Sequence, residues 1–174
     1  MKNSVKITSG TYRGQEILTP GAGTHPMGAR EKLALFNMIT SELPGAKVLD
    51  AFAGSGALGI EALSRGAESV VFVEKSPAAA RIIKKNLDKL NLNSNVEVVT
   101  ADIEKYYSDK LFDIILADPP YDNFDAAKVQ NLAGFLGESG ILILSHPGDA
   151  PTLNGAALQK TNTYAGAKIS IYRK

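Results

Sequence analysis

The chain has 174 residues, 44% of them hydrophobic, with no cysteine, two histidines and a formal net charge of +1. That length suits one domain with a sizeable core; the missing thiols exclude disulfides and thiolate metal sites, and His25 and His146 stand too far apart in sequence to suggest a metal cluster. The opening residues lack the apolar stretch of a secretory signal, and no apolar run approaches the ~20 residues that span a bilayer, so the expectation is a soluble cytoplasmic protein that needs no metal.

In chain order, "VKITSGTYRGQEIL" is two short alternating runs around a Gly-containing turn, which predicts a β-hairpin. The Pro/Gly-rich linker "TPGAGTHPMG" follows, and then "AREKLALFNMITSEL", a good amphipathic helix. Lys2, Lys6, Arg13, Arg30 and Lys32 outweigh Glu16 and Glu31 here, a mild basic bias whose plain reading is a solvated surface. From Lys47 onward the pattern repeats. "KVLDA", "SVVFV", "VEVVT", "LFDIILA" and "GILILS" are short and nearly continuously apolar, as strands covered on both faces should be. Between them lie helical patterns in "ALGIEALSRG", "SPAAARIIKKNLDKLNL", a short "DIEKYYSD" and "AAKVQNLAGFLG". The second has Ser76 as N-cap, Pro77 at the first helical position and Ala80, Ile83, Leu87 and Leu90 along one face. "ALQKTNTYAGAKISIYRK" reads as two final strands joined by a Gly loop. The alternation predicts an α/β, Rossmann-like, mostly parallel doubly wound sheet. The layout is one domain, with residues 1–27 as hairpin and linker and 28–174 as core.

Four stretches carry chemistry. In "VLDAFAGSGALGIEAL", Asp50 ends the first core strand and a turn containing Gly54 and Gly56 opens a helix, where the backbone can approach a ligand without a Cβ in the way. Gly54, Gly56 and Gly59 also match G-x-G-x-x-G, the dinucleotide pattern. Asp50, just ahead of the turn, would repel a pyrophosphate at that helix N-terminus. It suits a cationic ligand, such as the amino group and sulfonium of S-adenosylmethionine. Glu74, at the tip of the second core strand, can accept from both hydroxyls of a ribose, which indicates an adenosine ligand without choosing between dinucleotide and adenosylmethionine. Asp102 after the third strand can accept from an adenine amino group, or simply cap the short helix that follows.

The fourth stretch is "ADPPY". Asp118 stands at the carboxyl end of a strand, where open α/β sheets bind ligands. Pro119 and Pro120 stiffen the turn, so the Asp118 carboxylate and the Pro119 carbonyl can act as paired acceptors for the two hydrogens of an exocyclic amine. The amine lone pair is then aimed at an electrophilic methyl. Tyr121 offers a flat face for an extruded base. A strong base is unnecessary, because the amine proton becomes acidic only after the methyl has transferred.

Together "SGTYRGQEILTP", "AREKLALFN", "DAFAGSGALGIEALSRGA" and "ADPPY" resemble the RsmD family of bacterial class I methyltransferases, which methylate the N2 amino group of a guanine in 16S ribosomal RNA. The match runs from about Ile7 to the C-terminus. The resemblance implies a seven-stranded sheet with its last strand antiparallel, and an N-terminal hairpin that helps hold RNA. It implies guanine 966 as the target; the expected setting is a small ribosomal subunit or an assembly intermediate, with a monomer as the default state and, from composition and hydropathy, no membrane or metal partner. Carried over by motif, Asp50, Phe52, Ala53, Gly54 and Gly56 surround the methionine part of the cofactor. Glu74 and Lys75 lie at its ribose, Asp102 and Ile103 at its adenine, and Asp118 borders it. Asp118, Pro119, Pro120 and Tyr121 hold the guanine, and Arg13, Arg30 and Lys32 face RNA.

Two departures stand out: His25-Pro26-Met27 replaces the family's Arg-Pro-Thr, and Ala51 stands where leucine is frequent. The first bears on the RNA grip rather than on the cofactor or amine chemistry. Competing readings are an adenine-N6 methyltransferase of DNA or other RNA, which uses the same clamp but normally adds a target-recognition region, and a protein glutamine methyltransferase, whose class resembles "NPPY". A non-catalytic adenosine-binding Rossmann module would have no use for an amine clamp. The weak net charge suggests that a preformed protein–RNA surface supplies part of the grip.

Overall fold

The computed structural model describes residues 4–21, 27–164 and 167–174. The predicted hairpin is a separate two-stranded sheet, β1 (Ser4–Lys6) against β2 (Glu16–Leu18), with Ser4 opposite Leu18 and Lys6 opposite Glu16. Helix α1 (Ala29–Met38) leads to β3 (Lys47–Asp50), α2 (Ala57–Ser64), β4 (Ser69–Glu74), α3 (Pro77–Lys89), β5 (Val96–Thr100) and β6 (Phe112–Ala117). Helix α4 (Ala126–Gln130) and strands β7 (Leu136–His146), β8 (Ala157–Tyr164) and β9 (Ala167–Arg173) complete the order. The large sheet has seven strands in the order β5-β4-β3-β6-β7-β9-β8. β3 to β7 are parallel, and β9 runs antiparallel to both β7 and β8. This is an α/β Rossmann-like methyltransferase fold with an N-terminal hairpin.

Strand alternation builds a core on each face. Val48, Phe72, Ile114 and Ile143 pack toward α1, α2, α3 and the hairpin, while their neighbours Leu49, Val71, Ile115 and Leu142 pack toward Leu132, Val129 and Tyr172. Continuous apolar runs are the consequence of covering both faces. Ala51, one of the two family departures, is fully buried in the second core.

Three helical expectations shorten for local reasons. The α1 pattern stops at Met38 because the Thr40 hydroxyl takes the Phe36 carbonyl at 2.9 Å, and Pro44 turns Leu43 away from helical conformation. "DIEKYYSD" supplies one 3-10 turn, Ile103–Lys105. "AAKVQNLAGFLG" breaks at Asn131, where the Gln130 carbonyl accepts from the Asn154 N–H at 2.9 Å and a 3-10 turn over Leu132–Phe135 follows. Helix α3 begins as read, with the Ser76 hydroxyl accepting from the Ala79 N–H at 3.3 Å.

The hairpin is bolted to the core by buried polar groups. Glu61 of α2, fully buried, accepts from the Thr8 N–H at 2.9 Å, the Thr8 hydroxyl at 2.7 Å and the Ser9 N–H at 3.0 Å. It pairs with Lys32 at 3.1 Å and Arg65 at 3.0 Å. Burial alone would raise the Glu61 carboxyl, but the Thr8 hydrogen bonds and the Lys32 ammonium bring it below its ordinary value. Ser64 accepts from the Tyr12 N–H at 3.0 Å and donates to the Ser9 carbonyl at 2.6 Å. Gly10 is obligatory here, since a Cβ on it would lie 1.7 Å from the Ser64 carbonyl oxygen. At the other end of the hairpin, the Asn86 amide bonds both the N–H (2.8 Å) and the carbonyl (2.9 Å) of Leu18.

Lys32 is therefore a correction to the sequence reading. It is 3% exposed, and its ammonium serves Glu61 and the Lys6 carbonyl, the latter at 2.9 Å, so it does not face RNA. On α1 it shares a helical face with the buried Leu35 and Phe36, at spacings of three and four residues.

Candidate functional site

The strand order changes direction between β3 and β6, and ligands of open α/β sheets bind in the crevice at the carboxyl ends of strands beside such a point. Three acids stand there. Asp50 is paired by register with Phe72 of β4 and Leu116 of β6; Glu74 ends β4, and Asp118 follows Ala117, the last residue of β6.

Asp50 is 1% exposed. Its Oδ2 accepts from the Gly59 N–H of α2 at 2.9 Å, while its Oδ1 is buried without a hydrogen-bond partner. Burial pushes the carboxyl up to about 7, the Gly59 hydrogen bond opposes this, and the charges of Asp118 and Glu74 add to it. The carboxylate already occupies the seat at the helix N-terminus that a pyrophosphate would need, which disposes of the literal dinucleotide match. An orphaned buried oxygen carrying negative charge is matched by a cationic N–H donor.

The turn between β3 and α2 has Gly54 at φ +53° and Gly56 at φ +80°, both left-handed. Gly59 serves packing, because a Cβ on it would sit 2.3 Å from Cε1 of Phe72. Ala53 is buried and Phe52 half-buried along this loop. Glu74 braces the loop by accepting from the Gly54 N–H at 2.8 Å with one oxygen and from the Ser76 N–H at 2.7 Å with the other. Each oxygen keeps a second lone pair for a hydroxyl donor. Lys75 next to it is exposed. Asp102 caps the 3-10 turn after β5, accepting from the Glu104 N–H at 3.3 Å, and Ile103 is buried; the cap engages one oxygen of a carboxylate that has further lone pairs.

Asp118 is half-buried, Pro119 buried and Pro120 exposed. Burial pushes the Asp118 carboxyl up to about 6, and a hydrogen bond from Ser145 opposes the rise. Tyr121, 37% exposed, opens a 3-10 turn over Tyr121–Asn123. Its phenol is hydrogen-bonded to the Ser145 hydroxyl. Burial raises this phenol, Ser145 opposes, and Asp118 and Glu31 raise it further; the start of α1 thus stands near Tyr121.

The crevice brings together Asp50, Phe52, Ala53, Gly54, Gly56, Glu74 and Asp118 to Tyr121, with Asp102 and Ile103 at the end of β5. Arg30 is exposed on the first turn of α1, next in sequence to Glu31, whose charge acts on the Tyr121 phenol. Arg13 is exposed at the hairpin turn, whose Thr11 N–H bonds the Ser64 carbonyl at 2.8 Å. That is the far end of α2, about 12 Å along the helix from the crevice at 1.5 Å per residue. Arg13 is not part of the crevice. Of the departure at His25-Pro26-Met27, only Met27 lies within the described residues, packed against the first core. Among the described residues no group of acidic, histidine or cysteine side chains is arranged to hold a metal ion. Ser145 escaped the sequence reading; it closes "GILILS", but only the adjacency of β6 and β7 shows what it touches.

Residues 5–173 match the family model described as "Conserved hypothetical protein 95". "Putative rRNA methyltransferase YlbH" of Bacillus subtilis is 31% identical over 182 residues, covering 98% of this chain and 99% of that protein. "Ribosomal RNA small subunit methyltransferase D" of Haemophilus influenzae is 36% identical over 126 residues, 69% of this chain and 65% of that protein. Among solved structures, "Putative methyltransferase yhhF from Escherichia coli" superposes with a TM-score of 0.86 at 27% identity over 98% of both chains.

Proposed function

The chain belongs to the RsmD family of methyltransferases, and from that membership we propose that it transfers a methyl group from S-adenosylmethionine to the N2 amino group of a guanine in 16S ribosomal RNA, guanine 966. It works as a cytoplasmic monomer on a small ribosomal subunit or an assembly intermediate. The observation that carries the reading is a stiff Pro-Pro turn presenting the Asp118 carboxylate on the same sheet face as Asp50, whose buried oxygen has no partner.

The residues fit the cofactor. Asp50 Oδ1 takes its ammonium, the backbone of Phe52 to Gly56 surrounds its methionine part, Glu74 with Lys75 beside it takes the ribose hydroxyls, and Asp102 with Ile103 borders the adenine. When bound, adenosylmethionine supplies an electrophilic methyl group on a sulfonium. Asp118 is ionised above about pH 6 and is then an acceptor only. With the Pro119 carbonyl it holds both hydrogens of the guanine amine and directs the nitrogen lone pair. Tyr121 stacks on the extruded base, a contact worth ~1–3 kcal/mol in nucleic-acid sites. The nitrogen sheds its proton only after methylation, so catalysis is chiefly orientation and preorganised charge. Arg30, exposed at the start of α1, is assigned to RNA phosphate, and Arg13 meets RNA only if the substrate reaches along α2.

The reading is tested by incubating the protein with methyl-labelled adenosylmethionine and, in parallel, small subunits, their extracted RNA, and DNA. Label is expected in the subunit RNA and absent from DNA; label in DNA would instead support the adenine-N6 alternative.

A pH dependence follows from Asp50. A cationic ligand pairs only with the ionised carboxylate, and burial holds this one up to about 7. Cofactor affinity is therefore expected to rise as pH rises toward 7 and to level off above it, with a loss of up to about tenfold per pH unit below. Titration calorimetry across this range reads it directly; an affinity constant down to about pH 5 would contradict the assignment of Asp50 to the ammonium.

A further inference from the structure

We infer that Ser145 is a positioning residue of the amine clamp, its buried hydroxyl tying the Asp118 carboxylate to the Tyr121 phenol and so fixing the acceptor relative to the stacking face. The inference rests on the reading of Asp118 to Tyr121 as that clamp.

The placement follows from sheet register. β6 and β7 are parallel with Ala117 opposite Leu144, which sets the next residues, Asp118 and Ser145, side by side. Along β7, Ile143 packs into the first core and Leu144 into the second. Ser145 therefore points to the first-core side, as do Asp118 beyond Leu116 and Asp50 beyond Val48, by the two-residue alternation of strands. Ser145 is 1% exposed, and its hydroxyl is bonded to the Tyr121 phenol.

Chemistry then fixes the direction of the bonds. An ionised carboxylate only accepts, so Ser145 donates to Asp118 and accepts from the Tyr121 O–H. The chain Tyr121 to Ser145 to Asp118 runs one way while Asp118 carries charge. The donor reaches Asp118 from the neighbouring strand, and a carboxylate has lone pairs to spare for the amine. It also holds the phenol end of Tyr121, a residue 37% exposed. The charged groups around the chain are Asp50 from β3 with Glu74 from β4 behind it, and Glu31 of α1 facing Tyr121. Each of these is an acid, so none of them neutralises Asp118; what raises the Asp118 carboxyl is burial, and the Ser145 donor opposes it. His146, the next residue, points to the opposite face and bonds the Ser170 hydroxyl at 2.8 Å and the Gly148 carbonyl at 3.1 Å; it takes no part.

Ser145→Ala and Ser145→Thr separate the possibilities, with the Asp118 carboxyl titrated by carbon-13 NMR in the protein without cofactor and methyl transfer measured against pH. In Ser145→Ala the Asp118 midpoint is expected to move up, the acid limb of kcat to move up with it, and kcat at pH 7 to fall roughly tenfold, the effect of losing one hydrogen bond to a charged group. KM for adenosylmethionine stays unchanged. Ser145→Thr, which keeps the hydroxyl, is expected to restore the midpoint and the profile. An Asp118 midpoint and pH profile identical to those of the unaltered protein in Ser145→Ala would overturn the inference. So would a loss of cofactor binding equal to the loss of turnover, which marks a merely structural residue. If the midpoint moves as expected while neither protein methylates RNA, the Ser145 link stands and the clamp's proposed substrate is what fails.

Discussion

Asp118→Asn is expected to lower methyl transfer to RNA on the order of 10²–10³-fold, the loss that follows removal of one preorganised polar group from a reacting centre. The substitution preserves shape and the two prolines that follow, Pro119 and Pro120. It replaces an acceptor-only carboxylate by an amide with a single acceptor oxygen, and the amide nitrogen would direct hydrogens at the amine it should receive. Cofactor binding should survive. The Asp118 charge is one of those raising the Asp50 carboxyl, so its removal eases Asp50 toward the ionised form that holds the ammonium. Single-turnover rates read the first effect and calorimetry the second. Turnover equal to that of the unaltered protein would mean that Asp118 does not hold the amine.

The second large effect is structural. Glu61→Ala is expected to destabilise the protein by about 3–5 kcal/mol, the cost of breaking a buried ion pair from one side. The substitution strands Lys32, 4% exposed at its side chain, with no counter-charge, and leaves the Thr8 and Ser9 N–H groups without their acceptor. A loss of that size is a large share of the 5–15 kcal/mol typical of a whole domain. Urea unfolding measures it, and limited proteolysis should show cleavage within the hairpin before the core. The native-state Glu61 carboxyl is lowered relative to its ordinary value. Its contribution is therefore present above the ordinary glutamate range and fades as pH falls through it. A change below about 1 kcal/mol would show that other contacts suffice to dock the hairpin.

This docking explains a stretch that the chemistry leaves over. In "GIEALSRGA", Glu61, Ser64 and Arg65 touch no ligand in the proposed reaction; they hold Thr8, Ser9 and Tyr12. The hairpin is consequently a fixed part of the molecular surface. α1, which follows it, places the Glu31 charge within reach of Tyr121, and the Lys32 contact with the Lys6 carbonyl ties α1 to β1. A substrate that spans hairpin and crevice meets a preset distance between them.

What could be read from the chain was what local pattern encodes. Strands covered on both faces leave continuous apolar runs, Ser76-Pro77 marks a helix start, and the acids at strand ends fall where ligands of such sheets bind; Asp50, Glu74 and Asp118 were legible for that reason. Lys32 misled because charge was weighed before periodicity. Its spacing from Leu35 and Phe36 places it on the buried face, and its partner Glu61 lies twenty-nine residues away, where no local pattern reaches. The shortened helices reflect single tertiary bonds, such as Asn154 to the Gln130 carbonyl. Ser145 depended on the order of strands, since β6 and β7 are joined through α4 and only their pairing sets the hydroxyl beside Asp118. Arg13 looked equivalent to Arg30 in sequence, yet the hairpin carries it to the opposite end of α2.

The central claim concerns which atom receives the methyl group, and nucleoside analysis addresses it most directly. Small subunits lacking the modification are incubated with the protein and isotopically labelled adenosylmethionine, the RNA is digested to nucleosides, and the labelled species is identified by mass spectrometry. The account predicts labelled N2-methylguanosine, formed on the order of 10²–10³-fold more slowly with Asp118→Asn. Label recovered in N6-methyladenosine, on a ring nitrogen or on a ribose oxygen would contradict it.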